Sequence, residues 1–249
     1  MSPWFKPWPG SWSSALDVVL PVLFPQPCPG CAQVGPGLSQ LGLCPPCAGA
    51  LVELGPCCPA CAEPLAGPVG VVCARCMRAP LPLGAITAPW RYGGPLADAL
   101  QRLKFAGQAW VARGLAPAVG PYLAAVVEAG AIDVIVPVPL HWWRRTRRGF
   151  DQAALRAAAA RPPAPVRPAM LRRVRATRPQ LELGRAARAN NLVGAFVVPR
   201  RHRAALAGRR VLLVDDVVTT GATMAAAATA LRRAGAAEVL GFAVARAER

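Results

Sequence analysis

Apolar residues along the chain fall into short runs typical of buried strands and longer Ala/Leu-rich stretches typical of helices. Because parallel strands need a long crossover between them, usually a helix, alternation of the two predicts an α/β fold with a parallel sheet. Strands are predicted at residues 85–92, 133–137, 211–214 and 238–245, and helices at 96–105, 110–128, 151–160 and 223–234.

Composition divides the chain into three parts. A Pro-rich stretch at 79–84 separates a cysteine-rich module at 28–78 from the predicted α/β domain at 85–249. Residues 1–27 form a lead extension with a short apolar helix. No uncharged apolar stretch reaches about 18 residues and no signal-peptide pattern is found, so we expect no membrane span and a cytoplasmic location.

All nine cysteines lie between positions 28 and 76, and eight of them form four CxxC pairs. Each pair can direct two thiolates at one metal ion, and two pairs complete a tetrahedral zinc site. Proline and glycine surround the pairs, which favours tight turns over helices. We therefore predict two structural zinc ribbons in tandem, with about two Zn²⁺ per chain. The predicted ligands are Cys28, Cys31, Cys44 and Cys47 in the first ribbon and Cys58, Cys61, Cys73 and Cys76 in the second.

Some features of the cysteine module stay open at this point. Cys57 either replaces Cys58 as a ligand or has no metal role, and cross-bracing between the pairs is compatible with their spacing. Disulfides are disfavoured because nothing marks the chain as secreted. Thioredoxin-like chemistry would need one CxxC on a βαβ unit rather than four in Pro-rich turns. Closed sites of four cysteines have no open coordination position, so the zinc is expected to be structural.

The net charge of +17 is concentrated in one part of the chain. Residues 1–90 are balanced, whereas residues 144–210 hold 18 arginines against Asp151 and Glu182. Such a surplus predicts a polyanionic partner, either a diphosphate compound or single-stranded nucleic acid. Part of the surplus reflects a general arginine bias, since the chain has only two lysines.

Residues 211–223 read VLLVDDVVTTGAT, a buried strand that runs through two acids and a Thr/Gly loop into a helix. Ligands of open α/β sheets bind at such strand ends. Backbone N–H groups at a helix N-terminus bind phosphate, helped by the helix dipole. Thr219, Thr220 and Thr223 add hydroxyl donors, while Asp215 and Asp216 suit sugar hydroxyls. A solvated turn capped by Thr223 is the simpler interpretation, but it leaves two acids after a buried strand unexplained.

This pairing of acids with a Thr/Gly loop resembles the phosphoribosyl-diphosphate (PRPP) motif of type I phosphoribosyltransferases. No P-loop or GxGxxG motif occurs after a strand to compete with it. The resemblance implies that the two acids are catalytic and that the loop binds the ribose and its 5′-phosphate. The implied PRPP-binding residues are Asp215, Asp216, Val218, Thr219, Thr220, Gly221, Ala222 and Thr223.

Four features in chain order resemble the ComF family of competence-associated phosphoribosyltransferase-like proteins. They are the cysteine ribbons, VPVP at 136–139 followed by RGFDQ at 148–152, RANNL at 188–192, and the PRPP motif. The family usually has Asn where Asp151 stands. The resemblance implies a type I phosphoribosyltransferase sheet with helices on both faces, plus a small N-terminal zinc-ribbon module.

The same resemblance implies a role in natural transformation, acting on incoming single-stranded DNA, with competence machinery proteins as partners. It leaves open whether the chain is an enzyme with an unknown acceptor or a non-enzymatic nucleic-acid-binding scaffold or PRPP sensor. No general base is evident, which suits transfer from PRPP because that reaction depends mostly on positioning and charge stabilisation.

The resemblance also assigns roles outside the PRPP motif. The loop after VPVP would hold the diphosphate together with Mg²⁺, and a hood at 172–192 would cover the acceptor. Trp142 and Trp143 either stack on a base or pack beneath the hood. Lys104 is a further candidate, while His202 is expected to be a surface residue. The diphosphate-loop residues are Val138, Pro139, Leu140, His141, Trp142, Arg144, Arg145 and Arg148, and the hood residues are Gln180, Arg188 and Asn191.

Overall fold

A computed structural model of the protein describes residues 26–34, 37–68, 70–105, 108, 110–139, 162–174, 192 and 194–248. The predicted helix at 151–160 and nearly all of the lead extension lie outside these residues. The helices are α1 Pro45–Gly49, α2 Ala74–Arg78, α3 Gly94–Phe105, α4 Trp110–Ala129, α5 Arg200–Leu206 and α6 Ala222–Arg233. The strands are β1 Ile86–Thr87, β2 Trp90–Arg91, β3 Val134–Pro137, β4 Arg172–Arg173, β5 Phe196–Val197, β6 Arg210–Val218 and β7 Glu238–Arg246.

The main sheet is parallel throughout its described part. β6 lies between β3 and β7, and both β1 and β2 pair with the other side of β7. The β6–β7 register runs from Arg210 opposite Glu238 to Val218 opposite Arg246. Because β3, β6 and β7 are parallel, their carboxyl ends meet at one edge of the sheet, where sites of open α/β folds lie.

Helices cover the sheet on both faces, and alternate residues of β6 face two different cores. Val211 and Leu213 belong to the core that also contains apolar residues of α6. Leu212 and Val214 belong to the core that contains those of α3 and α4. Burial on both faces explains why this strand reads as a continuous apolar run. The arrangement confirms the predicted α/β fold.

Two strand predictions need correction. The single strand predicted at 85–92 is broken into β1 and β2, because Pro89 has no N–H for the ladder. The Pro89 carbonyl instead accepts a hydrogen bond from the Leu54 N–H at 2.9 Å. The strand predicted at 211–214 continues to Val218, so Asp215 and Asp216 lie within β6 rather than after it.

A small antiparallel pair, β4 with β5, lies beside the main sheet. Arg173 of β4 places its guanidinium 5.6 Å from the centre of the Phe196 ring on β5, a favourable cation–π arrangement. β4 begins the predicted hood at 172–192 and β5 follows its end, and most of the residues between the two strands lie outside the described part of the chain.

The cysteine ribbons combine turns with short helices. The first pair of each ribbon lies in turns, as predicted, but the second pair is joined to a five-residue helix, α1 or α2. The prediction of turns without helices is therefore wrong for these pairs. Cys44 and Cys73 are the extended N-cap residues. Pro45 is tolerated after Cys44 because the first helical position needs no hydrogen-bonded N–H.

The first ribbon packs against α3 and α4. A Cβ on Gly114 of α4 would lie 2.4 Å from Pro29 Cγ, and one on Gly42 would lie 2.1 Å from the Gly114 carbonyl oxygen. The Pro29 ring and the backbone of Gly42 therefore approach α4 more closely than a residue with a Cβ would allow at Gly114 or Gly42. Arg102 of α3 also donates to the carbonyl oxygens of Pro29, at 2.8 Å, and Gly30. The ribbon is thus packed into the α/β core.

Among the described helices, α4 is long and apolar enough to cross a membrane, judged by length and composition alone. Its buried side chains include Leu115, Val119 and Leu123, and they belong to the core between α4 and the sheet. In this structure α4 therefore forms part of a helical layer.

Candidate functional site

The carboxyl end of β6 brings together two acids, a Thr/Gly loop and the N-terminus of α6. We call residues 215–223 the cradle. Asp216 is nine-tenths buried, and its Oδ1 accepts the Val217 N–H at 2.8 Å. Asp215 Oδ1 accepts the Asp216 N–H at the same distance. These local hydrogen bonds orient both carboxylates at the sheet edge.

The two acids form an electrostatically costly pair. Burial, followed by the neighbouring Asp216 charge, raises the pKa of Asp215 well above its ordinary value. Lys104, near the C-terminus of α3, places its Nζ 3.0 Å from Asp216 Oδ2. Its positive charge favours the ionised form of Asp215, although less strongly than the first two effects oppose it. A further cation at this edge would relieve the repulsion.

The loop between β6 and α6 turns at a position whose backbone conformation requires glycine. Gly221 is the N-cap residue of α6 and has φ +77°, in the left-handed region. Thr220 Oγ1 accepts the Ala222 N–H at 3.2 Å. Thr219 is exposed and Thr223 lies in the first turn of α6. The loop leads from the two acids into α6, a helix of twelve residues. The positive N-terminal end of its dipole therefore lies in the cradle.

The end of β3 lies directly beside the cradle. The Val138 N–H donates to the Val214 carbonyl oxygen at 2.8 Å, one residue before Asp215. Val138 and Pro139 are the described residues of the predicted diphosphate loop. The other members of that loop, Leu140, His141, Trp142, Arg144, Arg145 and Arg148, lie outside the described residues, as do the predicted hood residues Gln180, Arg188 and Asn191.

The eight predicted ligand cysteines form two clusters, one in each ribbon. Within each cluster the four Sγ atoms lie within 4.8 Å of one another, close enough to share one ion. The pairing is sequential, so the ribbons are not cross-braced. Cys57 is a free, half-buried thiol that belongs to neither cluster. The clusters consist of Cys28, Cys31, Cys44 and Cys47, and of Cys58, Cys61, Cys73 and Cys76.

Backbone N–H groups in each cluster stabilise thiolates. The Cys44 N–H donates to Cys28 Sγ and the Cys73 N–H to Cys58 Sγ, both at 3.3 Å. Burial opposes ionisation of Cys28 and Cys73, but nearby hydrogen-bond donors outweigh it and lower the pKa of each thiol to about 7. Burial raises the pKa of Cys47 and Cys76, and the neighbouring cysteine sulfurs raise it further. Four closely spaced sulfurs, one of lowered pKa in each cluster, fit zinc, which binds thiolate rather than thiol.

Two arginines that the sequence analysis did not single out join the second ribbon to the cradle and the sheet. Arg75, between Cys73 and Cys76, donates from Nη1 to the Thr220 carbonyl oxygen at 2.9 Å. Arg246, fully buried at the end of β7, pairs with Glu63 and donates to the Cys61 carbonyl oxygen at 3.1 Å. Arg75 occupies one of the two unspecified positions of a CxxC pair, and Arg246 stands outside the motifs, so no sequence signal marked either residue.

Comparison with known proteins agrees with both halves of this architecture. The double zinc ribbon domain family matches residues 19–77, and the phosphoribosyl transferase domain family matches residues 169–248. The DNA utilization protein YhgH of Salmonella typhimurium is 34% identical over 207 residues, covering 81% of this chain and 89% of the relative. Competence protein F of Haemophilus influenzae is 31% identical over 182 residues, covering 70% and 78%. The chain belongs to the ComF family.

The ComF-family assignment fits the geometry. The zinc-ribbon match contains both cysteine clusters, and the transferase match contains β4 to β7 with the whole cradle. A second YhgH protein, from Shigella flexneri, is 32% identical over 216 residues, with 81% and 89% coverage. The ComF chain thus combines a double zinc ribbon with a phosphoribosyltransferase-like domain.

Proposed function

We propose that this ComF-family chain binds Mg-PRPP in the cradle and presents it for transfer of the phosphoribosyl group. The observation that carries the proposal is the junction of an acid pair with the N-terminus of α6 at the carboxyl end of a buried parallel strand. Sugar hydroxyls need acceptors and phosphate needs donors, and the cradle offers both within nine residues.

The 5′-phosphate is assigned to the loop and first turn of α6. A doubly charged anion at this end is favoured by the helix dipole and by backbone N–H groups that have no acceptor within the helix. Thr219, Thr220 and Thr223 supply hydroxyls around the same point. The phosphate can also approach the backbone closely at Val218, Gly221 and Ala222.

The ribose is assigned to Asp215 and Asp216. Their carboxylates accept hydrogen bonds from the 2′- and 3′-hydroxyls, as the resemblance to the PRPP motif implies. Positive charge develops on the ribose as its bond to diphosphate breaks, and two nearby carboxylates stabilise that charge. This is the catalytic role proposed for the pair.

Mg²⁺ fits the donor set at this edge. It prefers carboxylate and phosphate oxygens and keeps several waters, so it is usually held jointly by protein and substrate. When bound, it would neutralise charge on the leaving diphosphate. Burial, and after it the neighbouring Asp216 charge, raises the pKa of Asp215, and a cation close to the acids favours their ionised forms.

The diphosphate is assigned to the loop that begins at Val138 and Pro139. Because β3 pairs with β6, this loop leaves the sheet beside the cradle. Its residues Leu140, His141, Trp142, Arg144, Arg145 and Arg148 carry the backbone donors and cations that a leaving diphosphate requires. The acceptor is assigned to the hood residues Gln180, Arg188 and Asn191.

We further propose a cytoplasmic role in competence, with single-stranded DNA and competence machinery proteins as partners. The names of the relatives, DNA utilization protein and Competence protein F, support this proposal. The arginine surplus of the chain supports a polyanionic partner.

A diphosphate-release assay tests whether the cradle performs chemistry. PRPP and Mg²⁺ are supplied with candidate acceptors, including single-stranded DNA. We expect release by the wild type and a loss of roughly a hundredfold or more in the double variant Asp215→Asn/Asp216→Asn. Asp98→Asn, an exposed acid on α3, is the matched control and should keep full activity. Release that is unaffected by the double variant would remove the acids from the mechanism.

A second candidate function, a nucleic-acid-binding scaffold or PRPP sensor, is favoured by α5. This helix exposes Arg200, Arg201 and Arg203 on one short segment. Burial lowers the pKa of His202, and the charges of Arg201 and Arg172 lower it further. The cluster of exposed arginines, with Arg172 near His202, gives this surface a positive potential, which favours phosphate.

Salt dependence of single-stranded DNA binding tests this second candidate. Removing the three arginines of α5 together should reduce the slope of log affinity against log salt by about 2, because each single-strand phosphate contact contributes roughly 0.7. Arg91→Ala, which removes a guanidinium paired with Glu248, should leave the slope unchanged. An unaltered slope in the triple variant would place the DNA contact elsewhere.

A further inference from the structure

The side chain of Arg75 connects the second zinc ribbon to the cradle. Arg75 lies on α2, between the ligand cysteines Cys73 and Cys76, and is separated from the cradle by 145 residues of sequence. Its Nη1 donates to the Thr220 carbonyl oxygen at 2.9 Å. A hydrogen bond from a charged donor is about twice as strong as a neutral one, so this contact can fix the position of a loop peptide.

The guanidinium lies beside the second cysteine cluster, with the Cys61 and Cys76 sulfurs as its charged neighbours. Arg75 is fixed there by its place on α2 between the ligand positions Cys73 and Cys76. A Zn²⁺ ion with four thiolates carries a net charge of about −2. Such a dianion attracts and orients an adjacent cation. Arg75 thus lies between the metal cluster and the loop.

The ribbon is also anchored to the sheet on its other side. Arg246 of β7 binds the Cys61 carbonyl oxygen and Glu63, and the Ile86 N–H donates to the Pro59 carbonyl oxygen at 3.3 Å. Because β7 pairs with β6, the sheet, the second ribbon and the loop form a closed set of contacts. A ribbon fixed in this way is a firm support for the Arg75 side chain.

Because the peptide bond is planar, the hydrogen bond to the Thr220 carbonyl also fixes the orientation of the next N–H group. The carbonyl of Thr220 and the N–H of Gly221 belong to one peptide unit, and in a trans peptide they point in opposite directions. When Arg75 draws the carbonyl toward the ribbon, the Gly221 N–H is turned away from it. The hydrogen bond therefore selects one orientation of a backbone donor in the cradle.

We infer that Arg75 is a positioning residue that couples the second zinc cluster to the phosphate-binding loop of the cradle. The inference rests on the proposed function only for the identity of the ligand. Zinc in this ribbon then has a second role beyond folding the ribbon, because it holds the cation that orders the loop.

Hydrogen exchange of the zinc-loaded, full-length chain tests the coupling without any ligand. In Arg75→Ala, amides of residues 219–223 should exchange at least about tenfold faster, since a charge-assisted hydrogen bond is lost. Amides of β7 should be unchanged. Arg78→Ala, an exposed arginine on the same helix, is the matched control and should match the wild type throughout.

Arg75→Lys is the control for damage to the zinc ribbon in Arg75→Ala. It keeps the charge beside the cluster and should retain two zinc ions and restore part of the protection at 219–223. Protection that stays at the wild-type level in Arg75→Ala would overturn the inference, and so would an equal loss in Arg78→Ala.

Calorimetric titration with Mg-PRPP then separates this inference from the proposed function. If the wild type binds, Arg75→Ala should bind roughly tenfold more weakly at unchanged zinc content, and equal affinity would overturn the coupling. If the wild type does not bind Mg-PRPP, the proposed function fails, while the exchange result still decides whether the ribbon orders the loop.

Discussion

At the scale of single residues, the cradle combines an unfavourable charge pair with a turn that requires glycine at position 221. Asp215 and Asp216 were predictable from the sequence because two acids interrupt a continuous apolar run. Arg75 and Arg246 were not, because their roles depend on contacts with residues 145 to 185 positions away. Such contacts leave no local pattern.

Asp215→Asn is expected to stabilise the free protein at neutral pH. The raised pKa means that the folded state holds this proton more tightly than the unfolded state, so the free energy of unfolding falls as pH rises from the ordinary carboxyl range toward the raised value. Asn removes that loss while its Oδ1 still accepts the Asp216 N–H.

The measurement is a set of thermal melts across pH. At pH 7 the variant should melt higher than the wild type, by roughly 2–4 °C for each kcal/mol of relief. Below the ordinary carboxyl range the two should converge. A variant that melts lower at pH 7, or differs equally at all pH values, would contradict the assignment of a raised pKa to Asp215.

Gly221→Ala is expected to cost both stability and ligand binding. A side chain at φ +77° costs roughly 1–2 kcal/mol, and the new Cβ would lie 3.4 Å from Ile86 Cδ1. Gly208→Ala is the matched control, because Gly208 has φ +72° and open space around it, and it lies outside the cradle. Melting should fall by a few degrees in both variants. Mg-PRPP affinity, measured by calorimetry, should fall only in Gly221→Ala, and equal affinities would argue against the loop as the phosphate site.

At the scale of elements, periodicity predicted the long helices and buried strands well, since α3, α4, α6, β3 and β7 differ from the predicted bounds by no more than two residues. It was less successful where backbone chemistry overrides periodicity. Pro89 divides an edge strand that reads as continuous, and α1 and α2 are too short to show a helical period. The grouping of the cysteines needed the fold, because spacing alone allows cross-bracing.

The cluster membership of Cys57 and Cys58 gives a sharp test at this scale. Cys58→Ser removes a ligand from the second cluster and should reduce bound zinc from about two ions per chain to about one. Cys57→Ser changes the adjacent residue, which lies outside both clusters, and should keep two. Metal content is measured by mass spectrometry of the purified protein. Retention of both ions in Cys58→Ser, or loss of one in Cys57→Ser, would show that Cys57 is a ligand.

At the scale of the whole molecule, residues of the zinc module pack into the same hydrophobic cores as the transferase-like domain. Cys28 and Cys47 pack with α3 and α4, while the second ribbon contacts β7 and the cradle. The fold class was predictable because alternating strands and helices allow few topologies. The acceptor site was not predictable, because the predicted hood at 172–192 falls in an Arg/Pro-rich region whose sequence carries little periodicity.

The central claim is that the cradle binds Mg-PRPP, and calorimetric titration of the zinc-loaded full-length chain tests it most directly. We expect one site per chain in the wild type and in Asp98→Asn, and a loss of affinity of roughly a hundredfold or more in Asp215→Asn/Asp216→Asn, which removes both ribose acceptors. A folded, zinc-loaded wild type that gives no heat of binding with Mg-PRPP, or a double variant that binds as tightly as the wild type, would contradict the account.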